Sequence, residues 1–233
     1  MALTLDQAVR IKLEADKQKV LAAIAPAQRD GKPDPDPFLR FLSLVLTKDE
    51  KDEGKVKPFP LHKEYLVELA GHFVREPILL VPKSRQMMVS WLAVAFCTWR
   101  CYARPNQLIV WQSKTESDAA AMVFDKDDPQ VARMSFICSR LPRWAFDMPK
   151  GSYASLLWPN GSMVKGAKQN PEMVRQLSPS VIVSDEMGFQ EYAAEIYTAA
   201  KPALTGGGQF IGISSANPGF FQEAVEDKLE MAA

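Results

Sequence analysis

Three short apolar runs, each followed at once by polar residues, dominate the hydrophobic pattern of this 233-residue chain. They lie at residues 77–82, 181–183 and 210–213. Continuous apolar runs of this length predict strands that are buried on both faces, as in a parallel sheet. The carboxyl ends of parallel strands meet at one edge of the sheet, where such folds bind their ligands. The pattern therefore predicts an α/β fold with a polar site built from three strand ends.

The spacing of other apolar residues predicts the elements around these strands. We expect helices near residues 4–25, 38–45, 61–75, 91–99, 116–124 and 220–231, and a further strand at residues 108–111. Repeated prolines between residues 33 and 37 end the first helix. The mixed-charge run at residues 48–57 predicts a solvated turn. We expect a helical appendage at residues 1–58 and a main domain at residues 59–233.

Two adjacent carboxylates, Asp185 and Glu186, follow the run at residues 181–183 after a single serine. Adjacent acids at a strand end suit phosphate chemistry. The first can hold hydrated Mg²⁺, and the second can act as a base toward the water that attacks a γ-phosphate. A strand that simply ends in a solvated acidic turn has the same local sequence, so the neighbouring strand ends decide between the two interpretations.

The first apolar run leads into a polar turn and then into an apolar helical stretch, which is the layout of a phosphate-binding loop. The turn reads Lys83, Ser84, Arg85, Gln86, Met87, Met88, Val89, Ser90, Trp91. Met88 and Val89 stand where the standard pattern has glycine and lysine, whereas Ser90 keeps the hydroxyl that ligates Mg²⁺. Lys83 and Arg85 are the remaining cations, and the long stem of Lys83 allows its ammonium group to reach phosphate oxygens from the start of the loop.

The third run ends in a polar turn closed by Pro-Gly. Its residues are Ser214, Ser215, Ala216 and Asn217. In a parallel sheet this strand end can lie beside Asp185 and Glu186, where hydroxyl and amide groups respond to the presence of a γ-phosphate.

The order and spacing of these motifs resemble the ATPase domain of the tailed-bacteriophage terminase large subunit, the motor that packages double-stranded DNA. The matching residues are Ser84, Arg85, Gln86 and Ser90 in the loop, the Asp185-Glu186 pair, and the segment at residues 214–217. The resemblance runs from about residue 59 to residue 220. It implies a RecA-like (ASCE) P-loop NTPase fold, with a mainly parallel central sheet flanked by helices and a small helical N-terminal appendage.

The resemblance also implies roles for individual residues. Glu186 matches the catalytic base, Asp185 the Mg²⁺-associated acid, and Arg85 an arginine that acts in cis on transition-state charge. ATP and Mg²⁺ are the implied ligands, held by the loop at residues 83–91 with Lys83 in place of the missing lysine. Residues 214–217 match the motif that couples hydrolysis to movement. Motor rings commonly insert an arginine into the neighbouring site, and the candidates here are Arg133, Arg140, Arg143 and Arg175.

The implied partners are double-stranded DNA bound without sequence readout, the portal protein and procapsid, the small terminase subunit, and further copies of the chain in a ring. The expected location is the host cytoplasm, because no run of eighteen apolar residues and no signal-peptide pattern occurs. Large subunits of this family continue into a nuclease domain for which this sequence has no counterpart, so we expect no DNA cleavage.

Composition limits these expectations. The formal net charge is zero, with 28 basic and 28 acidic residues, so any contact with DNA must use a local cluster or a ring of subunits. Cys97, Cys101 and Cys138 lack paired spacing and predict buried free thiols. Two alternatives remain open from sequence: one half of a superfamily 2 helicase-like ATPase, or an assembly module that cannot hydrolyse ATP because its loop is degenerate.

Overall fold

A mainly parallel sheet with helices on both faces organises the chain. The computed structural model describes residues 5–49 and 54–226. Its helices are α1 (Leu5–Ile24), α2 (Asp36–Leu42), α3 (Glu64–Arg75), α4 (Val89–Ala103), α5 (Glu116–Met122), α6 (Arg133–Arg140), α7 (Pro171–Leu177), α8 (Ala193–Thr205) and α9 (Phe220–Val225). Its strands are β1 (Ala27–Arg29), β2 (Lys32–Asp34), β3 (Leu46–Asp49), β4 (Lys55–Pro58), β5 (Ile78–Pro82), β6 (Leu108–Ser113), β7 (Lys150–Ser152), β8 (Ser155–Leu157), β9 (Met163–Lys168), β10 (Val181–Asp185) and β11 (Gln209–Ser214).

The central sheet has the strand order β5-β11-β10-β6-β9-β8-β7. The pairs from β5 to β9 are parallel, and β8 and β7 add an antiparallel edge. Strand β11 is therefore inserted between the strand that precedes the loop and the strand that carries the acids. An extra strand inserted at this place is the feature of the ASCE fold that the resemblance implied. The predicted fold class is confirmed.

Alternate side chains of the buried strands pack into two cores. Val181 and Val183 belong to the large core formed with α2, α3 and α4, whereas Ile182 faces a smaller core with α8 and α9. Every residue of β10 and β11 is buried. Because both faces are covered by helices, the strands carry continuous apolar runs instead of an alternating pattern.

The structure confirms the predicted strands at residues 77–82, 108–111, 181–183 and 210–213 and the helix at residues 61–75. The predicted helix at residues 220–231 is observed as Phe220–Val225, and its remaining part from residue 227 lies outside the described residues. The first helix begins at Leu5, and the predicted residue 4 also lies outside them.

The segment before residue 59 contains two β-hairpins in addition to its helices. Helix α1 ends at Ile24, just before Pro26, so the prolines at residues 33–37 do not end it as expected; β1 and β2 pair between the helix end and the last of these prolines. For the parts described, the prediction of a solvated turn at residues 48–57 was right about exposure, since residues 55–58 are exposed, but wrong about structure, because residues 46–49 and 55–58 pair as the antiparallel strands β3 and β4. Phe38, Phe41 and Leu42 of α2 are fully buried in the same core as α3 and α4.

The three cysteines are buried free thiols, as predicted. Burial raises the pKa of Cys97 and Cys138 to about 12, so both thiols are neutral at physiological pH. Within the described residues, no helix is both long and apolar enough to span a lipid bilayer.

Close packing around β9 makes Gly166 a testable constraint. A Cβ atom on this residue would lie 2.9 Å from the carbonyl oxygen of Ala154 and 3.1 Å from that of Ala119. We therefore expect Gly166→Ala to lower the free energy of unfolding by about 1–3 kcal/mol in urea denaturation, because backbone atoms must move. Gly206→Ala is the control, since its nearest atom would lie at 3.4 Å and its stability should be nearly unchanged. Equal stability of the two variants would contradict this packing.

Candidate active site

A cleft of about 1070 Å³ lies at the carboxyl ends of β5, β11, β10 and β6. The loop after β5, the acids after β10, the first residue after β11 and the end of β6 all line it. The lining cations are Lys48, Lys57, Lys63, Lys83, Arg85, Lys114 and Arg133, and the lining acids are Asp118, Asp185 and Glu186. This excess of positive charge suits a ligand with several phosphate groups.

Lys83 and Glu186 face each other across the end of β11. The Lys83 Nζ atom lies 2.8 Å from Glu186 Oε1, and its side chain is only 10% exposed. The two residues follow strands that are two positions apart in the sheet, about 10 Å between backbones. The long lysine side chain spans this gap, while the backbone N–H of Lys83 donates to the carbonyl oxygen of Ser214 at 2.8 Å. The only cation at the loop's entry therefore points into the cleft, directly at the predicted base.

The turn after β11 contacts the acidic segment at three points. Ser215 Oγ donates to Glu186 Oε2 at 3.3 Å, and the backbone N–H of Gly188 donates to Ser214 Oγ at 3.0 Å. The side-chain amide of Asn217 donates to the carbonyl oxygen of Gly188 at 2.5 Å. Gly188 has no room for a Cβ atom, which would lie 2.9 Å from Ser214 Oγ. The segment at residues 214–217 thus holds residues 186–188 as one unit, and only Ala216 makes no such contact.

Asp185 is buried beneath this surface, with 3% of its area exposed. Burial, and next the charge of Glu186, raise its pKa from 3.8 to about 6, whereas Lys83 and Arg133 act in the opposite direction. The Oδ1 atom of Asp185 is buried and lacks a hydrogen-bond partner. The same is true of Ser113 Oγ, at the end of the adjacent strand β6. Both residues line the cleft, so a bound ion or water could satisfy the remaining hydrogen-bonding capacity of these oxygen atoms.

The carboxylate of Asp185 and the hydroxyl group of Ser90 are of the ligand type that Mg²⁺ prefers. Among the described residues there is no group of three or more His, Cys, Asp or Glu that could enclose a metal. Mg²⁺ is instead commonly held by one or two protein oxygens, with waters and phosphates completing its shell. Asp185 and Ser90 both line the cleft and would provide such a partial set.

The loop keeps a strained backbone although it lacks the usual glycine. Met88 has φ 59° and ψ 7°, and Gln86 has φ 63°, so both adopt the left-handed conformation that glycine favours. Each such residue costs roughly 1–2 kcal/mol and persists where the surroundings enforce it. Tyr65 of α3 helps to enforce it, because its hydroxyl group donates to the carbonyl oxygen of Met87 at 3.2 Å.

The position that usually carries the loop lysine is buried here. Val89 is 4% exposed and belongs to the large core. Trp91 is also buried, with its ring 6.0 Å from that of Phe136, although it is one of the residues that line the cleft. Arg85, Gln86 and the remaining loop residues to Ser90 line the cleft, whereas Ser84 is exposed and lies outside the lining.

Of the four arginines proposed to act in trans, only Arg133 lines the cleft of its own chain. Its guanidinium lies 5.3 Å from the Trp91 ring centroid, and Nη1 is 3.6 Å from Met122 Sδ. Arg175 pairs with Glu172 on the exposed face of α7. Arg140 packs over Phe136, and Arg143 is exposed.

Sequence analysis did not identify the β3–β4 hairpin as part of the site. Thr47 and Lys48 of β3 and Lys57 of β4 line the cleft, and so do His62 and Lys63. A signal was present, since lysine alternates with an apolar residue at residues 55–57.

Comparison with solved structures found a likeness to large terminases of bacteriophages. The large terminase of phage HK97 matches over 82% of this chain and 42% of its own length, with 13% sequence identity and a TM-score of 0.53. The ATPase domain of the Thermus phage P74-26 large terminase matches over 63% of each chain at 15% identity and a TM-score of 0.43. A variant of that domain matches over 67% of each chain at 16% identity and a TM-score of 0.47.

The likeness to the HK97 protein is one of fold, and this chain spans less than half of that protein's length. It agrees with the resemblance inferred from the motifs. No family model matches the sequence. No curated protein matches it either.

The raised pKa of Asp185 has a measurable consequence for stability. Without Mg²⁺, Asp185→Asn should raise the free energy of unfolding at about pH 7.5 by up to about 3 kcal/mol, because the variant buries no charge. The native carboxyl holds its proton more tightly than the unfolded one, so the gain is complete above the native pKa of about 6. It should shrink as the pH falls through 6 and vanish below about pH 4.

Urea denaturation in EDTA at about pH 7.5 and at about pH 4 would measure this effect. The exposed Asp127, replaced by asparagine, is the control and should change stability little at either pH. A gain of the same size at both pH values would contradict the assignment.

Proposed function

We propose that this chain is the ATPase motor domain of a phage terminase large subunit, and that it couples Mg-ATP hydrolysis to the movement of double-stranded DNA into a procapsid. The observation that carries the proposal is the meeting of Lys83, Glu186 and Ser215 from three adjacent strand ends in one cationic cleft. Each side chain matches one motif of a motor ATPase, and strand order brings them together.

Lys83 has the role of the missing loop lysine. Its ammonium group is largely shielded from water and directed into the cleft, so it can neutralise phosphate oxygens without first being desolvated. Binding of the phosphates would take Lys83 away from Glu186, because the lysine's single positive charge cannot fully serve both groups. The same event therefore leaves Glu186 free to accept a proton from water.

Glu186 would act as general base and Asp185 with Ser90 would hold Mg²⁺, which supplies positive charge beside the phosphates. Ser215 contacts Glu186 and Asn217 contacts Gly188. A displacement of Glu186 after hydrolysis would therefore pass directly to the turn after β11. This is the physical content of the coupling role that we propose for residues 214–217.

Arginines would stabilise the negative charge of the transition state. Arg85 lies on the loop and Arg133 reaches the cleft of its own chain, so we propose that both act in cis. Arg140, Arg143 and Arg175 lie away from that cleft and remain the candidates for insertion into a neighbouring subunit. A ring of subunits, the portal, the procapsid and the small terminase subunit are the proposed partners, with DNA held through its phosphates.

A second function is favoured by one observation. Val89 fills the usual lysine position with a buried apolar side chain, and Lys83 is engaged by Glu186. If that ion pair does not open for nucleotide, the domain is an assembly module that does not hydrolyse ATP.

Steady-state hydrolysis of Mg-ATP by the wild type and two variants separates these functions. Lys83→Ala should lower kcat/KM at least about 100-fold, because one preorganised donor to transition-state charge is lost. Glu186→Gln should lower kcat by a factor of about 100 or more while nucleotide binding persists, because only the proton acceptor is removed. The control is Lys165→Ala, an exposed lysine outside the cleft. Absence of both hydrolysis and calorimetric nucleotide binding in the wild type would favour the assembly module.

A mixing experiment distinguishes arginines that act in cis from those that act in trans. Arg133→Ala and Glu186→Gln should each be inactive, and mixing them should restore no activity, because Arg133 serves its own cleft. An arginine acting in trans would give partial recovery when its variant is mixed with Glu186→Gln, and Arg175→Ala provides that comparison. Recovery in the Arg133→Ala mixture would contradict the assignment in cis.

A further inference from the structure

A second, smaller pocket lies at the opposite end of the sheet from the cleft. Its volume is about 220 Å³, and it lies beside the starts of β5 and β11, between the ends of α3 and α4. Three arginines line it: Arg75 from the last turn of α3, Arg100 from the last turn of α4, and Arg104 just beyond α4. We call this site the arginine pocket.

Arg100 is a largely buried cation that has no carboxylate partner among the described residues, and its guanidinium carbon lies 5.9 Å from the centroid of the Phe96 ring. One guanidinium nitrogen, Nη2, donates to the neutral side-chain oxygen of Gln107 at 2.9 Å. The Nε atom is buried and has no hydrogen-bond partner. Buried charges are ordinarily paired, and a buried donor without an acceptor destabilises the fold. Arg100 lines the pocket and is paired less completely than a buried cation ordinarily is.

Arg104 makes this deficit larger. Its guanidinium forms no hydrogen bond or ion pair with any residue in the part of the chain that the structure describes. Burial, and next the repulsion from Arg104, lower the pKa of Arg100 to about 10. The dipole of α4 favours cations at its carboxyl end, but it provides no acceptor for the Nε–H group.

Two acids, Asp34 and Glu76, also line the pocket, and in the described part of the chain neither pairs with Arg100 or Arg104. Asp34 accepts from Arg29 at 3.1 Å and from the backbone N–H of Asp36 at 3.1 Å. Glu76 lies 3.6 Å from His72. The thiols of Cys97 and Cys101 lie on the same helix, and their raised pKa values keep them neutral. The lining thus has three arginines against two acids, which leaves an excess of positive charge at the pocket.

We propose that the arginine pocket binds a phosphate group, with Arg100 and Arg104 as its principal ligands and Arg75 at the rim. Planar guanidinium groups match the oxygen geometry of phosphate, and charge-assisted bonds of this kind are among the strongest polar contacts in proteins. The volume accepts a phosphate-sized anion with its remaining waters. Arg75 and Arg104 are exposed, so the phosphate can belong either to a free ion or to a nucleic acid backbone.

This proposal does not depend on ATP hydrolysis, because the pocket is separate from the cleft. The direct readout is the Nε–H resonance of Arg100 in proton–nitrogen correlation spectra, assigned by its loss in Arg100→Lys. The Lys83→Ala variant is used throughout to weaken binding of phosphate in the cleft. We expect inorganic phosphate, titrated at constant ionic strength, to shift this resonance and reach saturation.

Arg104→Ala in the same background should weaken phosphate binding at least about tenfold, because one charge-assisted contact is lost. Arg40→Ala, at an exposed arginine that lines neither the cleft nor the arginine pocket, is the matched control and should bind phosphate like its parent. Since Arg104 is exposed, its replacement leaves the core intact.

A short DNA duplex tests the source of the phosphate group. If the Arg100 resonance shifts with both ligands or with duplex alone, and Arg104→Ala removes that shift, the site is supported. The ligands that cause the shift then identify the source of the phosphate group. No shift with either ligand, or a shift that sodium chloride reproduces at equal ionic strength, would overturn the proposal.

Discussion

Hydrogen bonds along both edges of β11 hold the loop strand and the acidic strand in a fixed register. Pro82 is level with Ser214 on one edge, and Asp185 is level with Ile213 on the other. The next residues, Lys83, Ser215 and Glu186, therefore emerge side by side at one edge of the sheet. The ion pair, the buried carboxylate and the hydroxyl contacts all depend on this arrangement. Because it is set by backbone pairing, the site's geometry tolerates changes in the loop sequence that would otherwise alter it.

Much of this arrangement could be predicted from the sequence. The runs at residues 77–82, 181–183 and 210–213 are continuous and apolar because their strands are covered on both faces, and that signal is local. The polar residues that follow them gave the principal parts of the site. The contact between Lys83 and Glu186 could not be derived in this way, since the two residues are 103 positions apart and meet only through the strand order.

Other features carry too weak a local signal. The β3–β4 hairpin is short and rich in lysine, so its charge obscured its alternation. Arg133 reaches the cleft because of the path that the chain takes between β6 and β9, which no nearby residue encodes. Arg100 resembles any arginine near a helix end in sequence, and only its burial without a carboxylate makes it unusual. Long-range packing, not residue type, decides the role of each of these side chains.

The buried Val89 has an evolutionary consequence. A lineage that moved its loop lysine between positions 83 and 89 in single steps would pass through one of two intermediates. A loop with both lysines places an ammonium group where the core now holds an isopropyl group, and an unpaired buried charge is strongly unfavourable. A loop with neither lysine leaves the phosphates without their cation. Under the function proposed above, the two loop sequences are therefore separated by an unfavourable intermediate, so single substitutions do not readily move the lysine from one position to the other.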